Sequence, residues 1–156
     1  MIHTEARVSG HMELLLLDPA GGVLARHENH NSIVPFGQSL LLSALRGETS
    51  TQRIEPFLGV AEFNTAAVEG IESRGIVRLE NIEPIEPEQE GGRLAMGFRG
   101  TASQSARVVG GGLAVFFRRG SSRAIQNGIY NFARTRSTVE VRAGMPLMLN
   151  FTLSVA

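Results

Sequence analysis

The chain has no cysteine, no lysine and no tryptophan, and it has a single tyrosine. Without cysteine there is no disulfide framework, no thiolate nucleophile and no cysteine-ligated zinc or iron–sulfur site. That composition suits a protein made in a reducing cytoplasm. Without lysine there is no Schiff-base chemistry and no phosphate loop of the Gly-Lys-Ser/Thr kind. Few aromatics also leave little to stack on sugar rings. Neither sign of charge is in excess: fifteen basic residues, all Arg, balance fifteen acidic ones. A general nucleic-acid or membrane-surface binder needs a basic surplus, so nucleic acid is not an expected partner. The longest apolar run near the start, Leu14-Leu15-Leu16-Leu17, is far below the roughly 20 residues that span a bilayer. Membrane insertion is therefore not expected. No basic stretch leads into an apolar one at the start, so the protein is expected to be made in the cytoplasm without a signal peptide.

What the chain does have is an all-β texture: 18 glycines spread among short apolar segments. Residues 13–17 and 23–27 flank Asp18-Pro19-Ala20-Gly21-Gly22 and read as a hairpin. Asn29-His30-Asn31-Ser32 reads as a polar, capping cluster. Phe36, Leu40, Leu41 and Leu45 then give one apolar helical face, with Ser32 as the expected cap and Gly47 as the stop. Residues 48–53 read as a polar loop, and 54–63 as a strand. Residues 76–82 alternate as a half-buried strand, and the acidic, Pro-rich stretch 83–92 reads as a solvated connector. Further strands are expected at 93–99, 108–119, 129–134, 138–142 and 147–155. The expectation is a mainly β, single-domain sandwich or barrel-like fold over 1–156, of about eight or nine strands with one short helix. Residues 1–10 are expected as an arm, flexible or in contact with a neighbour.

Chemistry-bearing patterns are sparse. Gly-x-Ser-x-Gly and His-Glu-x-x-His are both absent. The candidate metal ligands are His27 and His30, with Glu28 or His11 as a third. The competing reading is a solvated turn at a strand end, and no cofactor is expected. Gly110-Gly111-Gly112 is followed by a strand-like run, not by the helix start a phosphate cradle needs. A bulge or close strand crossing is the better reading. The carboxylates between Glu80 and Glu90 fall in a Pro-rich run and read as a solvated loop, not as a facing catalytic pair.

Residues 108–119 are apolar on both faces, with Phe116 opposite Leu113, Val115 and Phe117, as in a central or interface strand. Arg118 and Arg119, with Arg123, form a small basic group expected beside Tyr130 and Phe132. It reads either as interface ion pairing or as a solvated turn. The outward positions of the last strand, Asn150, Thr152 and Ser154, carry no charge and make that strand a candidate for pairing within the domain or with a neighbouring copy. Phe116, Arg118, Arg119, Tyr130, Asn150, Thr152 and Ser154 are thus the candidate assembly residues.

Taken in order, several segments resemble a layout found in phage-tail and tail-fibre-associated proteins. Asn29-His30-Asn31-Ser32-Ile33-Val34-Pro35-Phe36-Gly37 enters the Leu-rich helix as an Asn-containing turn does there. Residues 57–67 resemble the strand and Thr/Ala-rich loop that follow, although Phe63-Asn64 replaces a Gly-Thr/Ser. Gly112-Leu113-Ala114-Val115-Phe116-Phe117, then residues 129–134, then 147–155 are similar to that layout's closing strands. The resemblance covers about residues 11–156. It implies a β-sandwich subunit of a virion, a prophage-derived particle or a contractile injection system, and it brings no catalytic residues. The partners it implies are copies of this chain and other particle subunits, with a surface glycan or receptor as a further class. The alternative is a ligand- or carbohydrate-binding β-module, which needs a concave apolar pocket with convergent polar groups. An enzyme would need His27 or His30 brought to a carboxylate.

Overall fold

The computed structural model describes residues 8–155. Eight strands run in chain order: β1 (Val8–Leu17), β2 (Val23–Ile33), β3 (Thr49–Val60), β4 (Ile76–Glu90), β5 (Arg93–Ala102), β6 (Ala106–Arg119), β7 (Gln126–Val141) and β8 (Pro146–Val155). One α-helix, α1 (Pro35–Leu45), links β2 to β3, and a 3-10 turn at Gly70–Glu72 lies between β3 and β4. The strands close into an antiparallel barrel in the order β1-β2-β7-β6-β3-β4-β5-β8.

Closure is uneven around the ring. β2 meets β7 only at Ser32↔Phe132 and Ile33↔Asn131. β3 meets β4 only at Phe57↔Arg78, Leu58↔Val77 and Gly59↔Ile76. The remaining ladders are long. The barrel is therefore two sheets, β2-β1-β8-β5-β4 and β7-β6-β3, joined at two short corners, which is why a sandwich and a barrel both suit its sequence pattern.

Period-two alternation fills the interior. Met12, Leu14, Leu147 and Leu149 have no exposed surface. A second core covers the outside of β3, β6 and β7. There Phe63 packs on Phe132 and Phe57 at ring-centroid distances of 4.7 and 5.4 Å, under the segment carrying the 3-10 turn. This core explains the glycine run. A Cβ on Gly112 would lie 2.8 Å from the Phe57 ring and 2.1 Å from the Asn131 carbonyl oxygen. β6 also breaks register between Val108 and Gly110 and between Leu113 and Ala114. At the second irregularity the buried Asn131 Oδ1 accepts the Leu113 N–H at 2.9 Å.

Several local expectations are corrected. Residues 83–90 are not a connector but the second half of β4, paired with β5. Beyond Leu79 that half has no partner on its other side among the described residues, and an edge strand tolerates Pro84, Pro87 and a row of Glu where a central strand would not. Residues 49–53 are not a loop; they begin β3 and pair with the end of β6. Their Thr-Ser-Thr-Gln-Arg side chains are mostly exposed, so no alternation marks them. Residues 129–134 and 138–142 belong largely to one long β7, interrupted where Val108↔Val139 gives way to Gly110↔Arg134. Ser32 does not cap α1. It lies in β2, the N-cap is Val34, and no side chain caps the helix, whose first turn instead begins with proline. Gly47 does end it, at a φ of 72° that favours glycine. Of the expected arm, residues 8–10 begin β1 and pair with Val155, Ser154 and Leu153. Residues 1–7 lie outside the described residues.

Candidate functional site

The region that stands apart from the packed barrel is the end that α1 covers. The helix is Pro-Phe-Gly-Gln-Ser-Leu-Leu-Leu-Ser-Ala-Leu, with no charged residue. Its inner side is anchored closely. A Cβ on Gly37 would lie 2.2 Å from the Tyr130 carbonyl oxygen, so only glycine lets the helix rest on the β7 backbone here. Phe36 packs on Phe117 at 5.9 Å, and Leu40 is buried with Val115 and Phe117. The outer side faces water: Leu41, Leu42 and Leu45 are 38%, 59% and 79% exposed. The sequence places Phe36, Leu40, Leu41 and Leu45 on one apolar face, whereas the structure splits them. Phe36 and Leu40 point in and Leu45 points out, because the helix is apolar nearly all round.

Beneath α1 the barrel is not filled. A cavity of about 180 Å³ remains, walled by Ile54, Met96, Val115, Leu153 and Tyr130 and roofed by Leu40. A second chamber of about 260 Å³ adjoins it and is lined at the β4–β5 turn by Gln89 and Arg93. Leu41, Leu94, Tyr130 and Leu153 line both. Burial raises the Tyr130 phenol above its ordinary value near 10, since the charged phenolate loses water there.

The other candidate residues are dispersed. Asn150, Thr152 and Ser154 lie along the outer face of β8, but β8 is paired on both edges, with β1 and with β5. The closing strand thus pairs within the domain, one of the two alternatives expected for it. Asn150 instead donates to Glu13 Oε1 at 3.0 Å, and Glu13 Oε2 lies 3.4 Å from Arg26 Nε. Phe116 is not a surface group. It is buried in the outer aromatic core with the Arg53 guanidinium 3.7 Å above its ring. Arg119 lies over the edge of the helix-end core, 5.4 Å from the Phe117 ring centroid. Arg118 is half-buried at the end of β6, away from the cavity lining.

His27 and His30 cannot share a metal through their side chains. They are three apart on β2, where odd offsets point to opposite faces. On the outer face His30 instead meets His11 edge-on at 5.7 Å, and His11 Nε2 lies 3.4 Å from Glu28 Oε2. Among the described residues no three His, Asp or Glu side chains form a group that could hold a metal ion.

A second charged cluster braces the short β3–β4 corner. Arg78 Nε and Nη2 both donate to Oε1 of the buried Glu55, at 2.9 and 2.7 Å, and Arg78 Nη1 donates to Glu72 at 3.3 Å. Sequence reasoning missed both this brace and the cavity. The cavity walls come from five strands and the helix, and no local spacing marks them. The one signal present was the charge-free Leu-Leu-Leu helix. No helix among the described residues is long and apolar enough to cross a membrane. In comparisons with known proteins, no family model, no curated protein and no solved structure matches this chain.

Proposed function

We propose that this chain is a non-enzymatic structural subunit of a phage or phage-tail-like particle, a tail, baseplate, fibre or decoration component that acts through protein–protein assembly. The observation that carries the reading is the outer face of α1. Three leucines stand in water on a helix with no charge, and Val8 and Val155 are exposed on neighbouring strand ends. Clustered apolar surface of this kind marks a contact site. The partner we assign to it is a second copy of the chain. The helix face carries no charge and the chain has zero net charge, so two copies approach without repulsion. A patch that meets itself does so about a two-fold axis. The order of segments that resembles phage-tail components supports the particle setting. A rigid barrel repeated in many copies gains strength from number and needs no strong single contact.

The test is density-gradient sedimentation of a lysate of the source cells, with fractions probed for this protein. Co-migration with a particle of megadalton mass is the expected result. Migration only as a free small species overturns the particle role.

A further inference from the structure

We infer that the barrel mouth beneath α1 is a binding site for a short unbranched alkyl chain with an uncharged polar end. The inner chamber, about 180 Å³, is close in size to an apolar cavity of roughly 150 Å³ that stays dry and takes up a six-carbon ring. Among the described residues only Thr51 and Tyr130 bring polar side-chain atoms to its lining, and no charged residue does. Nucleotides, sugars and metal ions find nothing there to satisfy their charge or hydroxyls. The chamber is blind towards the barrel body, where Leu113 is buried. The second chamber adjoins its other side along Leu41, Leu94, Tyr130 and Leu153. A linear molecule therefore enters tail first, and its head stops at Gln89 and Arg93.

The surroundings of that head set its chemistry. Arg93 makes no ion pair among the described residues. Glu90 sits opposite it across the β4–β5 turn, and Glu88 lines the adjoining groove. Glu88, Glu90 and Arg93 share that adjoining groove, whose net negative charge disfavours an anionic head. A hydroxyl, ester or amide accepts hydrogen bonds from Gln89 and Arg93 without that repulsion.

Leu41, Val8 and Val155 border both the outer patch and the second chamber, so the experiment separates the two readings through Leu45, which lines neither chamber. The experiment titrates the full chain with 1-octanol and with octanoate by isothermal calorimetry and methyl NMR. Ala44→Phe and Thr51→Phe block the rim from two elements at exposed positions, so the fold is retained, as circular dichroism will show. Leu45→Ala changes the outer face alone. The expected result is saturable one-to-one binding of 1-octanol, tighter than octanoate, weakened about tenfold or more in each blocked variant and unchanged in Leu45→Ala. No saturable binding overturns the site. Binding that survives both blocks and falls in Leu45→Ala also overturns it, because the probe then sits on the outer leucines. Octanoate binding more tightly than octanol overturns the assignment of an uncharged head.

Discussion

The body of the barrel and its α1 end are built from the same alternating strands, yet one is packed solid and the other is not. In the body, long ladders bring Met12, Leu14, Leu147 and Leu149 together with no exposed surface. At the α1 end the same strands contribute Ile54, Met96 and Leu153, only half-buried around a cavity of about 180 Å³. The difference lies in the cover. Strands seal one another edge to edge, whereas the helix is held down through Gly37, Phe36, Leu40 and Ser43 and exposes Leu42 and Leu45. The closest packing therefore lies in the body and its outer aromatic layer, which leaves the α1 end free for the contact and binding proposed for it.

The strongest way to break this contrast is Phe57→Ala. Phe57 is fully buried, touches Phe63 and Phe132 in the outer core, and pairs with Gly112 on β6. Its loss should lower the unfolding free energy by about 3–5 kcal/mol, read by urea denaturation. A loss below about 1 kcal/mol would mean that the outer layer contributes little and that stability is not concentrated where the packing is.

A smaller effect tests the same layer from the backbone side. Gly112→Ala would place a methyl group against the Asn131 carbonyl and the Phe57 ring. Overpacking of this kind typically costs about 1–3 kcal/mol. Because the Asn131 carbonyl belongs to the backbone, the neighbour cannot simply turn aside, and a stability equal to the parent would show that β6 and β7 are not held this closely.

How much of this was legible in the sequence follows from where each signal lives. Alternation marks residues 147–155 because β8 is wet on one face and dry on the other. The Asp18–Gly22 turn and the Gly47 stop are local chemistry, and local chemistry is written in neighbouring residues. Residues 83–90 were misread because the prolines and glutamates that signal a loop are equally at home on an edge strand. Residues 49–53 were misread because a strand wet on both faces has no period. Phe116 and Tyr130 are aromatic residues on apolar strands, and only the fold shows that one lies under the Arg53 guanidinium and the other lines a cavity. His27 and His30 look adjacent in sequence, and the two-residue period of β2 parts them.

The smallest expected effect on stability is the sharpest test of what the α1 end is for. Leu42→Arg with Leu45→Arg replaces side chains that are 59% and 79% exposed. Arg is about as good a helix former as Leu, and a cation in the last helical turn meets the favourable end of the helix dipole. Unfolding free energy should change by no more than about 0.5 kcal/mol. Self-association should fall nevertheless, because each copy now presents two buried-to-be charges to the same two charges on its mate. Sedimentation velocity over a range of concentrations reads the second effect and urea denaturation the first. Unchanged self-association would take the contact away from α1. A stability loss of several kcal/mol would mean that these leucines are packing groups after all, and the contrast between the solid body and the open end would fail.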